Sequence, residues 1–265
     1  MTSLSPDERA KIRHAYFEML AEMGVTKHLG ALHATKALVE MCRIGSRSLV
    51  LDVGCGTGMT ACYLARVYGC KVIGVDIVPR MVQRANAEAR RRGVADRVHF
   101  VTGDAQALPF ASNQFDAVIT ESVNVFLDHP LLALQEYAQV VAPGGYVGIT
   151  ESLWDSGPED GVNTLLSSLG AVPYRLDDWR ALMAKAGLTE IVGEEYQVDM
   201  SREARGRIRR YGCLGLLRAM ATAAWALISN RKVRSVLQRT MKGGSPVQVI
   251  KAARYGMLAG RKEES

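Results

Sequence analysis

Apolar residues recur every three or four positions in two segments near the start of the chain. The segments cover residues 7–24 and 32–43, and glycines at positions 24 and 45 mark their ends. This spacing places the apolar side chains on one face of an α-helix, and glycine commonly terminates helices. The sequence therefore predicts two helices, which form an N-terminal helical cap over residues 1–45.

From residue 48 onwards, short apolar runs alternate with helical patterns. Strands are predicted over residues 48–53, 71–75, 97–101, 115–120, 145–151, 191–198 and 255–261, and helices over 59–68, 79–92, 131–141 and 176–186. Strands that alternate with helices through short connections are typical of a parallel sheet covered by helices on both faces. The predicted fold class is therefore α/β, with a core over residues 46–202.

Two stretches interrupt this alternation. Residues 152–175 are irregular and contain several glycines and prolines, and residues 203–242 form a long helical pattern before the last predicted strand. Both follow the alternating unit, where insertions commonly build the lid of a substrate site. We therefore expect a helical insertion over residues 203–250, followed by the final strand and tail over 251–265.

Composition narrows the class of protein. Of the 265 residues, 48% are hydrophobic and 23% are charged, as in an ordinary globular protein. The five cysteines are odd in number and have no CxxC spacing, which argues for a reducing compartment and against a zinc site. No apolar run follows the first charges, so no signal peptide is predicted and the expected localisation is cytoplasmic. No metal site is expected.

Charge is distributed unevenly along the chain. The formal net charge is +6, but residues 202–265 contain 15 Lys and Arg against three acidic residues, so the preceding residues are net negative. A basic C-terminal quarter on an acidic body indicates an anionic partner or surface.

A glycine-rich turn joins the first predicted strand to the next helix. The segment Leu51–Gly58 reads LDVGCGTG. Glycines let the backbone turn tightly and approach a ligand without an intervening Cβ. Dinucleotide-binding loops have the spacing GxGxxG, whereas the spacing here is GxGxG, with Asp52 two positions before the first glycine. This combination suits a ligand with an ammonium or sulfonium group better than a pyrophosphate.

Acidic residues also follow the second and third predicted strands. Asp76 ends the run KVIGVD, where its carboxylate can accept both hydroxyls of a ribose; alternatively, it caps the helix that begins at Pro79. Ile77 beside it can pack on an adenine ring. Asp104, in the triplet GDA, can accept the exocyclic amine of adenine, although an isolated Asp after a strand is often a cap or turn residue.

The order and spacing of four segments resemble the class I S-adenosylmethionine-dependent methyltransferases. The segments are LVLDVGCGTG, KVIGVDI, VTGDAQALPFASNQFDAVI and VAPGGYVGIT, and the resemblance covers residues 48–151. It is strongest to the broad small-molecule group related to the ubiquinone and menaquinone C-methyltransferases. The resemblance implies a Rossmann-like, seven-stranded, mostly parallel sheet with helices on both faces, an N-terminal helical cap and a helical insertion before the last strand.

The resemblance also implies S-adenosylmethionine as cofactor and S-adenosylhomocysteine as product. In the family, the glycine loop holds the methionine part, the acid after the second strand holds the ribose, and the third segment holds the adenine. The end of the fourth strand lies near the reacting methyl group. The implied cofactor-binding residues are Asp52, Gly54, Cys55, Gly56, Thr57, Gly58, Asp76, Ile77, Gly103, Asp104, Ala105 and Glu121.

Methyl transfer from a sulfonium is an SN2 reaction that mainly requires placement of the nucleophile. A general base is needed only when that nucleophile starts protonated. The candidates are His129 and Glu121 in the core and His33 and Tyr16 in the N-terminal helices. For each of them the alternative is a helix cap, a surface residue or an ordinary packed side chain.

The acceptor is expected to be a small, lipophilic molecule. Residues 213–228 are almost uniformly apolar and are flanked by arginines, but they are too short to span a bilayer. One interpretation is peripheral contact of residues 203–242 with the anionic inner face of a membrane; the other is a buried helix with solvated basic ends. No NPPY-like tetrad follows the fourth strand, which disfavours methylation of a nucleobase or a glutamine amide. A nucleic-acid partner is therefore not expected.

Two further functions stay open at this point. The basic C-terminal region is compatible with a nucleic-acid or protein methyltransferase, and the glycine loop alone is compatible with a non-catalytic module that binds S-adenosylmethionine. The sequence does not predict an oligomeric state.

Overall fold

In a computed structural model of the chain, the predicted strands form one mixed sheet. The structure describes residues 6–24, 30–153, 171, 174–199 and 254–264, together with single helical positions at 201, 205, 206, 208, 212, 217 and 221. The helices are α1 (Pro6–Met23), α2 (Ala31–Met41), α3 (Met59–Tyr68), α4 (Pro79–Arg92), α5 (Pro130–Val140) and α6 (Leu176–Lys185). The strands are β1 (Leu49–Val53), β2 (Lys71–Asp76), β3 (Val98–Thr102), β4 (Phe115–Glu121), β5 (Val141–Leu153), β6 (Leu188–Gln197) and β7 (Arg254–Lys262).

The sheet has seven strands in the order β3-β2-β1-β4-β5-β7-β6. The first five of these are parallel to one another, and β7 runs antiparallel to both β5 and β6. The mostly parallel α/β sheet predicted from the sequence is thus confirmed. Strand order reverses between β1 and β4, and in open α/β sheets ligands bind beyond the carboxyl ends of the strands at this point.

Helices cover both faces of the sheet, so successive residues of the central strand β1 are buried. Leu51 of β1 belongs to a core with Tyr137 of α5 and Trp179 of α6, all of them fully buried. Val50, the adjacent residue, belongs to a second core with Leu64 of α3. Neighbouring residues of β1 therefore pack in opposite cores, which explains why Leu49, Val50 and Leu51 are all apolar instead of alternating with polar residues.

Two predicted strands begin earlier in the structure than in the sequence analysis. β5 starts at Val141 rather than at residue 145, with a register shift against β4 between Phe115 and Ala117. β6 starts at Leu188 rather than at residue 191, with a register shift against β7 between Thr189 and Val192. In both strands, the pairing is thus interrupted by a bulge or irregularity close to the residues that the prediction left out.

Both predicted insertions lie mostly outside the described residues. This applies to most of 152–175 and of 203–250, so the domain boundaries at 46, 203 and 251 stay predictions. Within the described part of the chain, no helix combines the length and the apolar character that crossing a bilayer would require.

Candidate active site

A cavity of about 290 Å³ opens at the carboxyl ends of β1, β2 and β4. Its volume is close to the lower end of the range typical of small-molecule sites. Five carboxylates and one guanidinium, that of Arg13, occur among the described residues that line it. The carboxylates belong to Asp52, Asp76, Asp104, Glu121 and Asp128. This excess of negative charge favours a ligand with positive charge.

The glycine loop forms the floor of the cavity and has a left-handed backbone at each glycine. Gly54 has φ +68°, and a Cβ there would lie 2.4 Å from the Val123 side chain. Gly58 has φ +73°, but a Cβ there would meet Phe100 and Ala85 instead. Gly54 and Gly56 line the cavity, whereas Gly58 lets α3 pack closely against its neighbours. Thr57 is buried and, like Gly58, does not belong to the cavity wall.

Cys55 lines the cavity but is a poor candidate for a nucleophile. Its side chain is buried, and burial together with the nearby Asp52 and Asp76 raises the pKa of the thiol well above its usual value. The thiol therefore stays protonated, and the thiolate is the reactive form of cysteine.

Asp76 links the end of β2 to the glycine loop. One carboxylate oxygen accepts a hydrogen bond from the Gly56 N–H at 2.8 Å, and the other accepts from the Val78 N–H at 2.9 Å. The second bond closes a turn before α4, whose N-cap residue is Val78 and has no side-chain capping bond, so the structure does not make Asp76 the helix cap considered as the alternative. Burial raises the pKa of Asp76, against the opposing effect of these two hydrogen bonds. The side chain also lines the cavity, so these two bonds and ligand contact are compatible.

The segment after β3 supplies the next part of the wall, with Gly103, Asp104 and Ala105. An Asp104 oxygen accepts from the Gln106 N–H at 2.9 Å, a turn of the kind considered as the alternative. Gln106 also lines the cavity and was not predicted; its side-chain oxygen accepts from the His129 N–H at 2.9 Å. Ile77, from the β2 end, is 61% exposed and presents an uncovered apolar surface to the cavity.

Glu121 stands at the end of β4 and is held by two hydroxyl groups. Thr35 of α2 donates to one carboxylate oxygen at 2.7 Å, and Thr60 of α3 donates to the other at 2.6 Å. Both threonines are buried. The carboxylate therefore has a fixed orientation at the cavity wall, and it joins three elements of the fold.

The other three candidate bases do not line the cavity. His129 is exposed at the N-terminal end of α5, and Tyr16 packs on the apolar cluster between α1 and α4. His33 is exposed on α2, with its ring 5.6 Å from that of Tyr196 in an edge-to-face contact. The geometry brings Glu121 to the site and leaves His129, His33 and Tyr16 outside its wall.

Helix α1, part of the predicted N-terminal cap, lines the cavity through residues other than Tyr16, the candidate base on this helix. Arg13, His14 and Phe17 line it from that helix. The guanidinium of Arg13 donates to both carboxylate oxygens of Asp128, at 3.0 and 2.7 Å, and so fastens α1 to the loop after β4. Spacing of three and four residues puts these side chains on one helical face, but nothing in the sequence shows where that face docks.

The fully buried carboxylate of Glu151, in β5, accepts hydrogen bonds from the backbone of the loop that follows β4. One oxygen accepts from the N–H groups of Val123 at 3.1 Å and Asn124 at 2.8 Å, and the other accepts from the Val125 N–H at 3.4 Å. Burial raises the pKa of Glu151 to about 7, against the opposing effect of these hydrogen bonds. Glu151 does not line the cavity.

A family profile and two related proteins all identify the chain as similar to methyltransferases. The profile of a methyltransferase domain matches residues 51–149. The methyltransferase YodH of Bacillus subtilis is 31% identical over 176 residues, which are 65% of this chain and 73% of YodH. Methyltransferase GfsG of Streptomyces halstedii is 31% identical over 160 residues, but these are only 58% of this chain and 57% of GfsG.

Solved structures share the fold. The geranyl diphosphate C-methyltransferase of Streptomyces coelicolor A3(2), in complex with Mg²⁺, geranyl diphosphate and S-adenosylhomocysteine, superposes with a TM-score of 0.66. The similarity covers 98% of this chain and all of that protein, at 14% sequence identity. At this identity the comparison establishes the architecture and not the substrate.

Proposed function

Because the chain belongs to the class I S-adenosylmethionine-dependent methyltransferases, we propose that it transfers the methyl group of S-adenosylmethionine to a small acceptor and releases S-adenosylhomocysteine. One observation carries this proposal: the glycine loop, Asp76 and Asp104 line a single acidic cavity at the switch point of the sheet. The acidic walls suit a cofactor with both a sulfonium and an ammonium group.

We assign each part of this cofactor to particular residues of the cavity wall. Asp76 would accept the ribose hydroxyls, since a carboxylate has lone pairs to spare beyond its bonds to Gly56 and Val78. Asp104 would accept the adenine amine, and the exposed side chain of Ile77 would cover the ring. The methionine part would lie over Gly54 and Gly56, where no Cβ obstructs it and where Asp52 and Glu121 provide negative charge.

When bound, S-adenosylmethionine supplies a methyl group on positively charged sulfur. The nucleophile of the acceptor forms a bond to this carbon as the carbon–sulfur bond breaks, and the electron pair of that bond stays on sulfur. The chain's own contribution is to hold the two reactants in line and to exclude water, which accounts for up to roughly 7–11 kcal/mol in favourable cases. Glu121 is the candidate group for receiving an acceptor proton, because Thr35 and Thr60 orient it.

The proposed acceptor is lipophilic. The apolar stretch at residues 213–228 of the sequence supports this. The basic residues on either side of that stretch support a further proposal, that residues 203–242 contact an anionic membrane surface. Cosedimentation with anionic and with neutral vesicles tests it, and equal binding to both would contradict it.

Isothermal titration of the full-length protein with S-adenosylmethionine, S-adenosylhomocysteine and NADH tests the cofactor. Binding of the first two without NADH is the expected result, and lipophilic compounds can then be screened by mass for the gain of one methyl group. Binding of NADH instead, or of none of the three, would overturn the proposal.

A further inference from the structure

The loop after β4 forms a wall of the cavity without belonging to a regular strand or α-helix. Ser122, Val123, Phe126, Leu127 and Asp128 all line the cavity from it. Val123 also packs so closely on the glycine loop that a Cβ at Gly54 would lie 2.4 Å from its Cγ2. Any displacement of this loop therefore alters both the wall and the floor of the site.

The loop is held from the side that faces away from the cavity. Glu151 accepts hydrogen bonds from three consecutive N–H groups, those of residues 123 to 125. Asn124 adds two side-chain bonds: its amide nitrogen donates to Thr120 at 2.8 Å, and its amide oxygen accepts from the Tyr137 hydroxyl at 2.9 Å. All four of these side chains are fully buried, and a satisfied buried network of this kind specifies one conformation.

We propose that Glu151 is a positioning residue whose negative charge fixes the loop of residues 122–128 in the shape that binds the cofactor. This inference rests on the proposed function, because it concerns the same site. A carboxylate accepts all three N–H bonds at once. The protonated acid has a hydrogen on one oxygen, so it receives the N–H groups on that side less well.

The environment of Glu151 makes this charge sensitive to pH in the neutral range. Its pKa of about 7 results from burial. Among the described residues, Tyr137 faces the same network, and burial raises the pKa of its phenol well above the usual value, so it stays neutral. The nearby acids are Asp104, which acts on Tyr137, and Glu121, which ends the neighbouring strand beside Thr150. Cofactor affinity should therefore rise between about pH 6 and pH 8.

The experiment measures S-adenosylhomocysteine affinity by calorimetry from pH 5.5 to pH 8.5. We expect the affinity of the wild-type protein to rise with a midpoint near pH 7. For Glu151→Gln we expect a flat profile, with affinity about three- to tenfold weaker than wild type at pH 8, which corresponds to one lost hydrogen bond. Asn124→Ala disturbs the loop but keeps the charge of Glu151. Its affinity for S-adenosylhomocysteine should therefore be weaker than that of the wild type at every pH, with the same midpoint of the pH profile.

Glu136→Gln is the matched control. Glu136 also accepts a backbone N–H bond, from Leu108 at 2.8 Å, but it lies outside the cavity wall. The affinity of Glu136→Gln for S-adenosylhomocysteine should vary with pH as that of the wild type does. Thermal unfolding of each variant without ligand shows whether it is folded, and if Glu151→Gln is not, the wild-type pH profile decides.

The outcomes separate this inference from the function on which it rests. If wild-type protein does not bind S-adenosylhomocysteine at any pH, the proposed function fails. If it binds with a pH-independent affinity, or if Glu151→Gln keeps the wild-type profile, the positioning role of Glu151 is overturned while the proposed function stands.

Discussion

The hydroxyl of Thr60 donates a hydrogen bond to Glu121 at 2.6 Å and so joins the first turn of α3 to the end of β4. The carboxylate is thereby held beside the glycine loop, where the ammonium group of the cofactor would lie. We expect Glu121→Gln to weaken S-adenosylhomocysteine binding about tenfold, because a charged hydrogen bond is worth more than a neutral one. Calorimetry measures this without knowledge of the acceptor.

Thr60→Val is the variant to compare with Glu121→Gln. It removes the hydroxyl that orients the carboxylate but keeps the charge, so its effect on binding should be smaller. Unchanged binding in Glu121→Gln, combined with loss of methyl transfer once an acceptor is known, would contradict the ammonium contact and assign Glu121 to proton transfer.

Replacement of Asp76 tests its proposed contact with the ribose. Asp76→Ala removes the carboxylate and also releases the Gly56 N–H of the glycine loop. We expect cofactor binding to weaken by about 1–3 kcal/mol. Asp96→Ala, which removes an exposed carboxylate beside Arg97, is the control and should bind normally. Unchanged calorimetric affinity for Asp76→Ala would exclude the assignment.

Stability should depend on pH through Glu151. Its pKa is about 7 in the folded protein and about 4.5 in a solvated chain, so folding takes up a proton between these values. The contribution of Glu151 to the free energy of unfolding therefore falls as pH rises from about 4.5 to 7, by about 3 kcal/mol in total. Urea unfolding of wild type and Glu151→Gln across this range checks the sign: the advantage of wild type over the variant should shrink as pH rises, and a constant difference would contradict it.

The ion pair between Arg13 and Asp128 should slow release of the cofactor, because it fastens α1 over the cavity. We expect Asp128→Asn to accelerate dissociation of S-adenosylhomocysteine by about two- to fivefold, in line with about 0.2–1 kcal/mol for an exposed pair. Surface plasmon resonance measures the rate. Glu195→Gln, which breaks an exposed pair with Arg254 elsewhere, should leave it unchanged. Equal rates in wild type and Asp128→Asn would rule out a role for this pair.

Gly58 and Gly93 form a matched pair for a structural test. Both have a left-handed backbone, with φ of +73° and +69°. A Cβ at Gly58 would lie 2.8 Å from that of Ala85, whereas a Cβ at Gly93 would meet nothing within 4 Å. We expect Gly93→Ala to cost about 1–2 kcal/mol of stability from backbone conformation, and Gly58→Ala to cost about 1–3 kcal/mol more. Equal costs by urea unfolding would contradict the packing role of Gly58.

Local sequence patterns were sufficient to predict the helices and strands of the core and several residues of the cavity wall. The glycine loop, Asp76 and Asp104 follow consecutive strands, and parallel strands bring such residues to one edge of the sheet. The contribution of Arg13 could not be predicted in this way, because it depends on docking of α1 against a loop more than a hundred residues away. Glu151 was no easier to assign, since its partners are backbone N–H groups without a sequence signature.

The position of β7 in the sheet determines when the sheet can be completed during translation. In the sheet β7 lies between β5 and β6, and β6 pairs with no other described strand. During synthesis, β6 therefore leaves the ribosome before β7, its pairing partner. Until β7 follows, the outer edge of β5 is unpaired as well. A truncated product that stops before Arg254 would expose two additional strand edges, one on β5 and one on β6, and such edges are templates for aggregation. Premature termination should thus give insoluble protein rather than a partly active enzyme.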